Sequence, residues 1–259
     1  MSDLDLRGRR AWVGGASQGI GEAIALALAS RGCSLSLLAR NAAALEALCA
    51  RLPRPAQQEH GWLAVDFSQT GTLAAALETL PRAEILILNS GGPSPGPAHA
   101  AAPEAFAAAF AQHLLANQTL LQQNLAQMRS AGYGRVITVL STSVKQPIAG
   151  LGVSNTIRGA VAAWAKTLAS ELGPDGITVN NVLPGYTDTK RLGSIMANKA
   201  AKAAVSVEAM AAQLRAEVPA GRFADPAETA AAVAFLASPQ AGYINGINLP
   251  VDGGRTQSL

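Results

Sequence analysis

Gly14-Gly15-Ala16-Ser17-Gln18-Gly19-Ile20-Gly21 stands between a short apolar run, Ala11–Val13, and a helical pattern from Glu22 to Ser30. A strand, a glycine-rich turn and then a helix form the setting that a bound phosphate requires. Glycines let the backbone approach a pyrophosphate, and the free N–H groups at the helix start attract its charge. The turn is therefore expected to hold a nucleotide through Gly15, Ser17, Gln18, Gly19, Ile20 and Gly21.

Downstream, short apolar runs alternate with longer Ala-rich helical patterns, which predicts repeated β-α units around a parallel sheet. Strands are expected at Ser34–Leu38, Trp62–Val65, Ile85–Leu88, Arg135–Leu140, Thr178–Leu183 and Gly246–Val251. Helices are expected at Ala42–Leu52, Ser154–Leu172 and Pro226–Ala237, with one or two long helices in Pro103–Met128. A polar, Ala-rich segment over residues 187–222 interrupts the rhythm. No internal repeat or linker divides residues 1–259. The expectation is one α/β domain: a doubly wound parallel sheet of about seven strands with helices on both faces.

With 259 residues, 49% of them hydrophobic, the chain is long enough to bury a sizeable core. A net charge of +3 and the lack of a Lys/Arg run argue against a nucleic-acid partner. Cys33 and Cys49 have no metal-type spacing and read as free thiols of a reducing compartment. The charged start MSDLDLRGRRAWV and the lack of a long apolar run predict a cytoplasmic protein without a membrane partner.

The sequence resembles the short-chain dehydrogenase/reductase family, in particular proteins similar to 3-oxoacyl-carrier-protein reductases. The landmarks are Gly15, Gly19 and Gly21, then Asp66, Asn89-Ser90-Gly91 and Ser141, then Asn180, Pro184-Gly185, Thr189 and Asp252-Gly253-Gly254. By that resemblance, Asp66 with Phe67 faces the adenine, and Asn89, Ser90 and Gly91 line the ribose. Pro184, Gly185 and Thr189 hold the carboxamide end, and residues 187–222 act as a substrate lid. An NAD-preferring member places Asp eighteen residues past the last glycine, where this chain has Ala39 followed by Arg40. No carboxylate is there to repel a 2′-phosphate, and the Arg40 guanidinium suits one, so NADP(H) is the expected cofactor. The resemblance also implies a homo-oligomer, a tetramer or a dimer.

Counting along the family's pattern finds an altered catalytic set. The family's Tyr lies thirteen residues after its Ser and its Lys four further on; from Ser141 those positions are Ser154 and Arg158. The family's Asn position, fifteen residues before Met128, is His113. A phenol can be tuned towards neutrality by a neighbouring cation, whereas a serine hydroxyl starts far less acidic. Arg158 stays protonated, yet it can bind a ribose, a carboxylate or a phosphate. Tyr186, directly after Pro184-Gly185, and His113 are the candidates for a relocated proton donor. Three readings stand: an NADP-dependent oxidoreductase acting on a small carbonyl or hydroxyl compound, of 3-oxoacyl type by resemblance; a weak or inactive NADP-binding sensor; and a non-redox lyase or isomerase on the same fold.

Overall fold

The computed structural model describes residues 4–258; Met1–Asp3, which begin the charged N-terminal stretch, and Leu259 lie outside the described residues. β1 (Arg10–Gly14), β4 (Ile85–Leu88), β5 (Gly134–Val139) and β6 (Ile177–Pro184) form the centre of one parallel sheet. These strands are nearly continuous buried runs because helices cover both faces. β2 (Ser34–Ala39), β3 (His60–Ala64) and β7 (Asn248–Val251) complete the order β3-β2-β1-β4-β5-β6-β7, with every neighbouring pair parallel. The doubly wound seven-stranded sheet expected from the sequence is the one observed.

On one face, α1 (Gly19–Ala29), α2 (Ala42–Arg51) and α9 (Pro226–Leu236) pack Ile24, Leu28, Leu45 and Val233 against the sheet. On the other lie α3 (Thr70–Leu77), α5 (Ala116–Ala131) and α6 (Gly152–Leu172), with Leu73, Leu120 and Ala165 among the buried contacts. Trp12 of β1 is fully buried on this second face, and its indole N–H donates to the Pro81 carbonyl at 2.8 Å.

Three expectations need correction. Strand β3 starts at His60 and stops at Ala64, and β7 starts only at Asn248; both are edge strands with half-exposed residues, so apolar periodicity marks their ends poorly. Helix α3 was not expected at all, since its eight residues, TGTLAAAL, carry only two buried side chains. Residues 187–222 hold two helices, α7 (Lys190–Ala203) and α8 (Val207–Ala216). The Pro103–Met128 stretch is α4 (Pro103–Phe110) running through a π-helical turn at Ala111–Leu115 into α5.

Helix α9 shows how local sequence fixes a boundary. The Asp225 carboxylate accepts from the Ala227 N–H at 2.7 Å, Glu228 accepts from the Asp225 N–H at 2.8 Å, and Pro226 occupies the first turn. Asp225→Ala should lower stability by about 1 kcal/mol in a urea titration. The bonds from Arg222 and the Asp225 N–H hold the Glu228 carboxyl down at about 2, below its ordinary 4.5. The unfolded chain therefore takes up this proton first, and the support from Glu228 fades as pH falls from 4.5 towards about 2.

Candidate functional site

The strand order reverses between β1 and β4, and a doubly wound sheet opens a crevice at that point, beyond the carboxyl ends of its strands. Gly14 ends β1 there and Asn89 follows β4; the Asn89 amide donates to the Gly14 carbonyl at 3.2 Å. Gly15 has φ +58°, in the left-handed region, and a methyl on it would sit 2.7 Å from the Asn89 Nδ2. A methyl on Gly21 would collide with the Gly15 carbonyl. The turn is thus as tight as backbone alone permits. The Gln18 side chain does not cap α1, so no side chain competes for the N–H groups of its first turn. Ile20 packs on the core below while Ser17 and Gln18 stay accessible.

Other residues converge on this turn. The Thr189 hydroxyl caps α7 by accepting from the Leu192 N–H, and its methyl group faces Gly19. Gly185 is fixed by its N–H bond to the Val251 carbonyl at 2.9 Å, at the end of β6 beside Pro184. Arg40 stands exposed just past β2 and has no carboxylate partner among the described residues. Asp66 follows β3 and accepts from the Ser68 N–H and hydroxyl, both at 2.9 Å, through one carboxylate oxygen. Those bonds, with Arg40 nearby, hold its pKa below the usual carboxylate value. The helix that follows is capped at Gln69, so Asp66 is a turn residue rather than a helix cap. Phe67 packs beneath it on the core.

Beside β5 lies a second group. The Ser141 hydroxyl accepts from the Ser143 N–H at 3.1 Å and caps a short 3-10 turn. Ser154 and Arg158 lie one turn apart on the same face of α6, and the Arg158 Nε donates to the Ser154 hydroxyl at 3.2 Å. An Arg158 Nη also donates to the Val139 carbonyl at 3.3 Å. Burial, followed by the charge of Arg191, lowers the Arg158 pKa to about 10, so it remains a cation at neutral pH.

His113 lies in the π-helical turn, an irregularity that often marks functional positions. Its Nδ1 is 2.9 Å from the Ser90 hydroxyl, and its buried Nε2 has no protein partner. Gln112, on the same turn, donates to the Gly91 carbonyl at 2.9 Å. Burial first, then Arg158 and Arg191, push the His113 pKa down to about 4. A ring with so low a pKa is neutral at neutral pH, which counts against it as a proton donor. A folded pKa below the unfolded 6.5 means stability falls as pH drops from 6.5 towards about 4. An NMR titration should find the ring neutral until that lower limit; a midpoint at 6.5 would show a solvated imidazole.

Tyr186 has partners of its own. Its hydroxyl donates to Glu217 at 3.0 Å, its ring lies under the Arg255 guanidinium, and Phe223 packs edge-on to it. Burial, reinforced by Glu217, pushes the phenol up to about 12, making it a weaker acid than a free tyrosine. Its place is the wall of a cavity of about 410 Å³, shared with Thr142, Gln146, Lys199, Glu217 and Arg255. Glu217 and Arg255 are 38 residues apart and meet only through the fold, so no local signal announces them.

The family described as Enoyl-(Acyl carrier protein) reductase matches residues 15–256. The chain belongs to the short-chain dehydrogenase/reductase family. It is 32% identical to the NADPH-dependent reductase BacG of Bacillus subtilis, covering 97% of this chain and 99% of that protein. It is also 32% identical to the 3-oxoacyl-[acyl-carrier-protein] reductase FabG of Vibrio cholerae, over 97% and 98% of the two chains. Its structure is similar to that of L-sorbose reductase from Gluconobacter frateurii, solved with NADPH and L-sorbose: TM-score 0.92, 29% identity, coverage 99% and 100%.

Proposed function

We propose that this protein is an NADP(H)-dependent oxidoreductase acting on a small, polar carbonyl or hydroxyl compound through a non-standard catalytic set. The observation that carries the cofactor is the tight turn at Gly15–Gly21, with uncapped N–H groups on α1 and the unpaired Arg40 guanidinium at the end of β2. Similarity to a reductase named as NADPH-dependent agrees with it. Gly15, Ser17, Gln18, Gly19, Ile20 and Gly21 hold the pyrophosphate, and Arg40 takes the 2′-phosphate. Asp66 accepts from the adenine through its free oxygen, and Phe67 supports it. Asn89, Ser90 and Gly91 face the ribose; Pro184, Gly185 and Thr189 face the carboxamide end.

When bound, NADPH supplies the hydride. Ser141 binds and polarises the substrate oxygen, and Ser154, held by Arg158, offers a second hydroxyl in place of the family's phenol. Arg158 supplies positive charge where the family has Lys, but at pH 7 its guanidinium gives up no proton readily. His113, neutral and joined to Ser90, orients groups in the crevice and does not act as the acid. The acid role that the sequence leaves to Tyr186 is weakened by its raised pKa, so we assign it to the substrate wall. The result is a site that holds and polarises a carbonyl but lacks a tuned acid, which predicts slow turnover. The cavity wall of Lys199, Glu217, Arg255 and Gln146 suits a hydrophilic compound better than an acyl chain. Lys199 of α7 and Glu217, just past α8, supply part of that wall, and the two helices serve as the lid.

A homo-oligomer accords with this reading: the exposed Phe110 and Leu115 beside α5 leave apolar surface for helix packing. The function is tested by following NADPH oxidation with a panel of small hydroxyketones and oxo acids. Slow, substrate-dependent oxidation is expected. Tight NADPH binding without oxidation of any kind would favour a sensor, the reading that Ser154 and Arg158 also support.

A further inference from the structure

The loop after β4 presents Gly92 to two guanidinium groups. A methyl on Gly92 would sit 3.2 Å from an Arg158 Nη and equally 3.2 Å from an Arg191 Nη. Arg158 reaches this point half-buried from α6; Arg191 reaches it from the exposed first turn of α7. Neither has a carboxylate partner among the described residues. The contacts they do make are bonds to neutral oxygens: Arg158 to Ser154 and Val139, Arg191 to the Pro93 carbonyl at 3.5 Å, too long to hold it firmly.

Two like charges meeting over one glycine repel each other, and partial burial strengthens the repulsion. Burial first, and then these two charges, disfavour protonation of His113, so the neighbouring imidazole adds no third charge. The buried His113 Nε2 is a further polar atom without a partner in this region. The loop itself is anchored: the Gly96 N–H donates to the Gly150 carbonyl at 2.7 Å, and the Gly152 N–H donates to Gly96 at 2.9 Å. Ala98 packs directly on Gly152 at the start of α6. A side chain at Gly92 would crowd both guanidinium groups, so the glycine leaves room between them.

We propose that Arg158 and Arg191 form a clamp for a carboxylate group carried by the substrate. The inference rests on the oxidoreductase reading and adds the class of substrate to it: a carbonyl or hydroxyl compound that is also a carboxylic acid. A planar carboxylate has two oxygens for two guanidinium forks, and it neutralises the charge that now stands uncompensated. Binding also strengthens the tie between α7 and the β4 loop, which now rests on the long Arg191–Pro93 contact. Other anions of the site have their own places. A pyrophosphate belongs at the N-terminus of α1 and a 2′-phosphate at Arg40, on different elements from this pair.

Calorimetry tests the clamp without any turnover. The protein, alone and loaded with NADP, is titrated with 2-oxobutanoate and 4-oxopentanoate and with their methyl esters. Each acid is expected to bind roughly tenfold or more tightly than its ester. Arg191→Gln, an exposed position whose change leaves the core intact, should remove that difference while the NADPH dissociation constant stays as it was. Arg191→Lys should restore part of it, because charge returns without the fork. Equal binding of acid and ester by the unmodified protein would overturn the clamp. So would an Arg191→Gln variant that loses NADPH affinity instead, since the pair would then serve the cofactor. Acid binding that depends on Arg191 in a protein that ignores NADPH would support the clamp and refute the cofactor assignment.

Discussion

Installing Tyr at position 154 together with Lys at position 158 should raise turnover of a small carbonyl substrate by roughly 10²–10⁴-fold, the usual contribution of a positioned general acid. Both residues lie on one face of α6, and the change removes the bond by which Arg158 now folds back on Ser154. A lysine there pulls the pKa of the new phenol down towards neutrality, which the present serine cannot match. The single Ser154→Tyr variant should gain much less, since a phenol without its cation stays close to a pKa of about 10. Arg158→Lys alone should gain nothing. A double variant that binds NADPH normally and reduces no faster would contradict the view that the site lacks only its acid.

Arg40→Ala should cost about 1.5–3 kcal/mol of NADPH binding, one charge-assisted contact, or roughly ten- to hundredfold in the dissociation constant. NADH binding should barely change, because nothing on that cofactor engages the guanidinium. The side chain is exposed and unpaired, so its loss should not disturb the fold. Arg40→Asp should go further and turn the preference towards NADH, since a carboxylate repels the 2′-phosphate and accepts from a 2′-hydroxyl.

The centre of the fold was legible because its signals are local. Ile85–Leu88 is four consecutive buried apolar residues, and Gly15–Gly21 combines a left-handed turn with a contact that excludes a side chain. Those two features, with the Ser141, Ser154 and Arg158 spacing, locate the crevice and its neighbours. The edges were less legible. Strand β3 has two exposed residues in five, and α3 buries only Leu73 and Leu77, so neither shows a full apolar period. Helix α7 buries only Leu192 and Ala200, so its sequence reads as irregular polar chain rather than as a helix.

The chemistry of the site was the least legible part, because it depends on contacts between distant residues. Arg191 and Arg158 are 33 positions apart in the sequence, and only the fold brings them together at Gly92. Tyr186 follows Pro184-Gly185 in the sequence, and only the fold shows its hydroxyl bonded to Glu217 and its ring under Arg255. The neutral state of His113 likewise follows from burial and two arginines, none of which is adjacent to it in sequence.

The central claim, that the glycine turn and Arg40 make an NADP(H) site, is tested most directly by calorimetric titration of the unmodified protein with NADPH and then NADH. One NADPH per chain is expected, bound at least about tenfold more tightly than NADH. Equal affinities, or no saturable binding of either nucleotide, would contradict it.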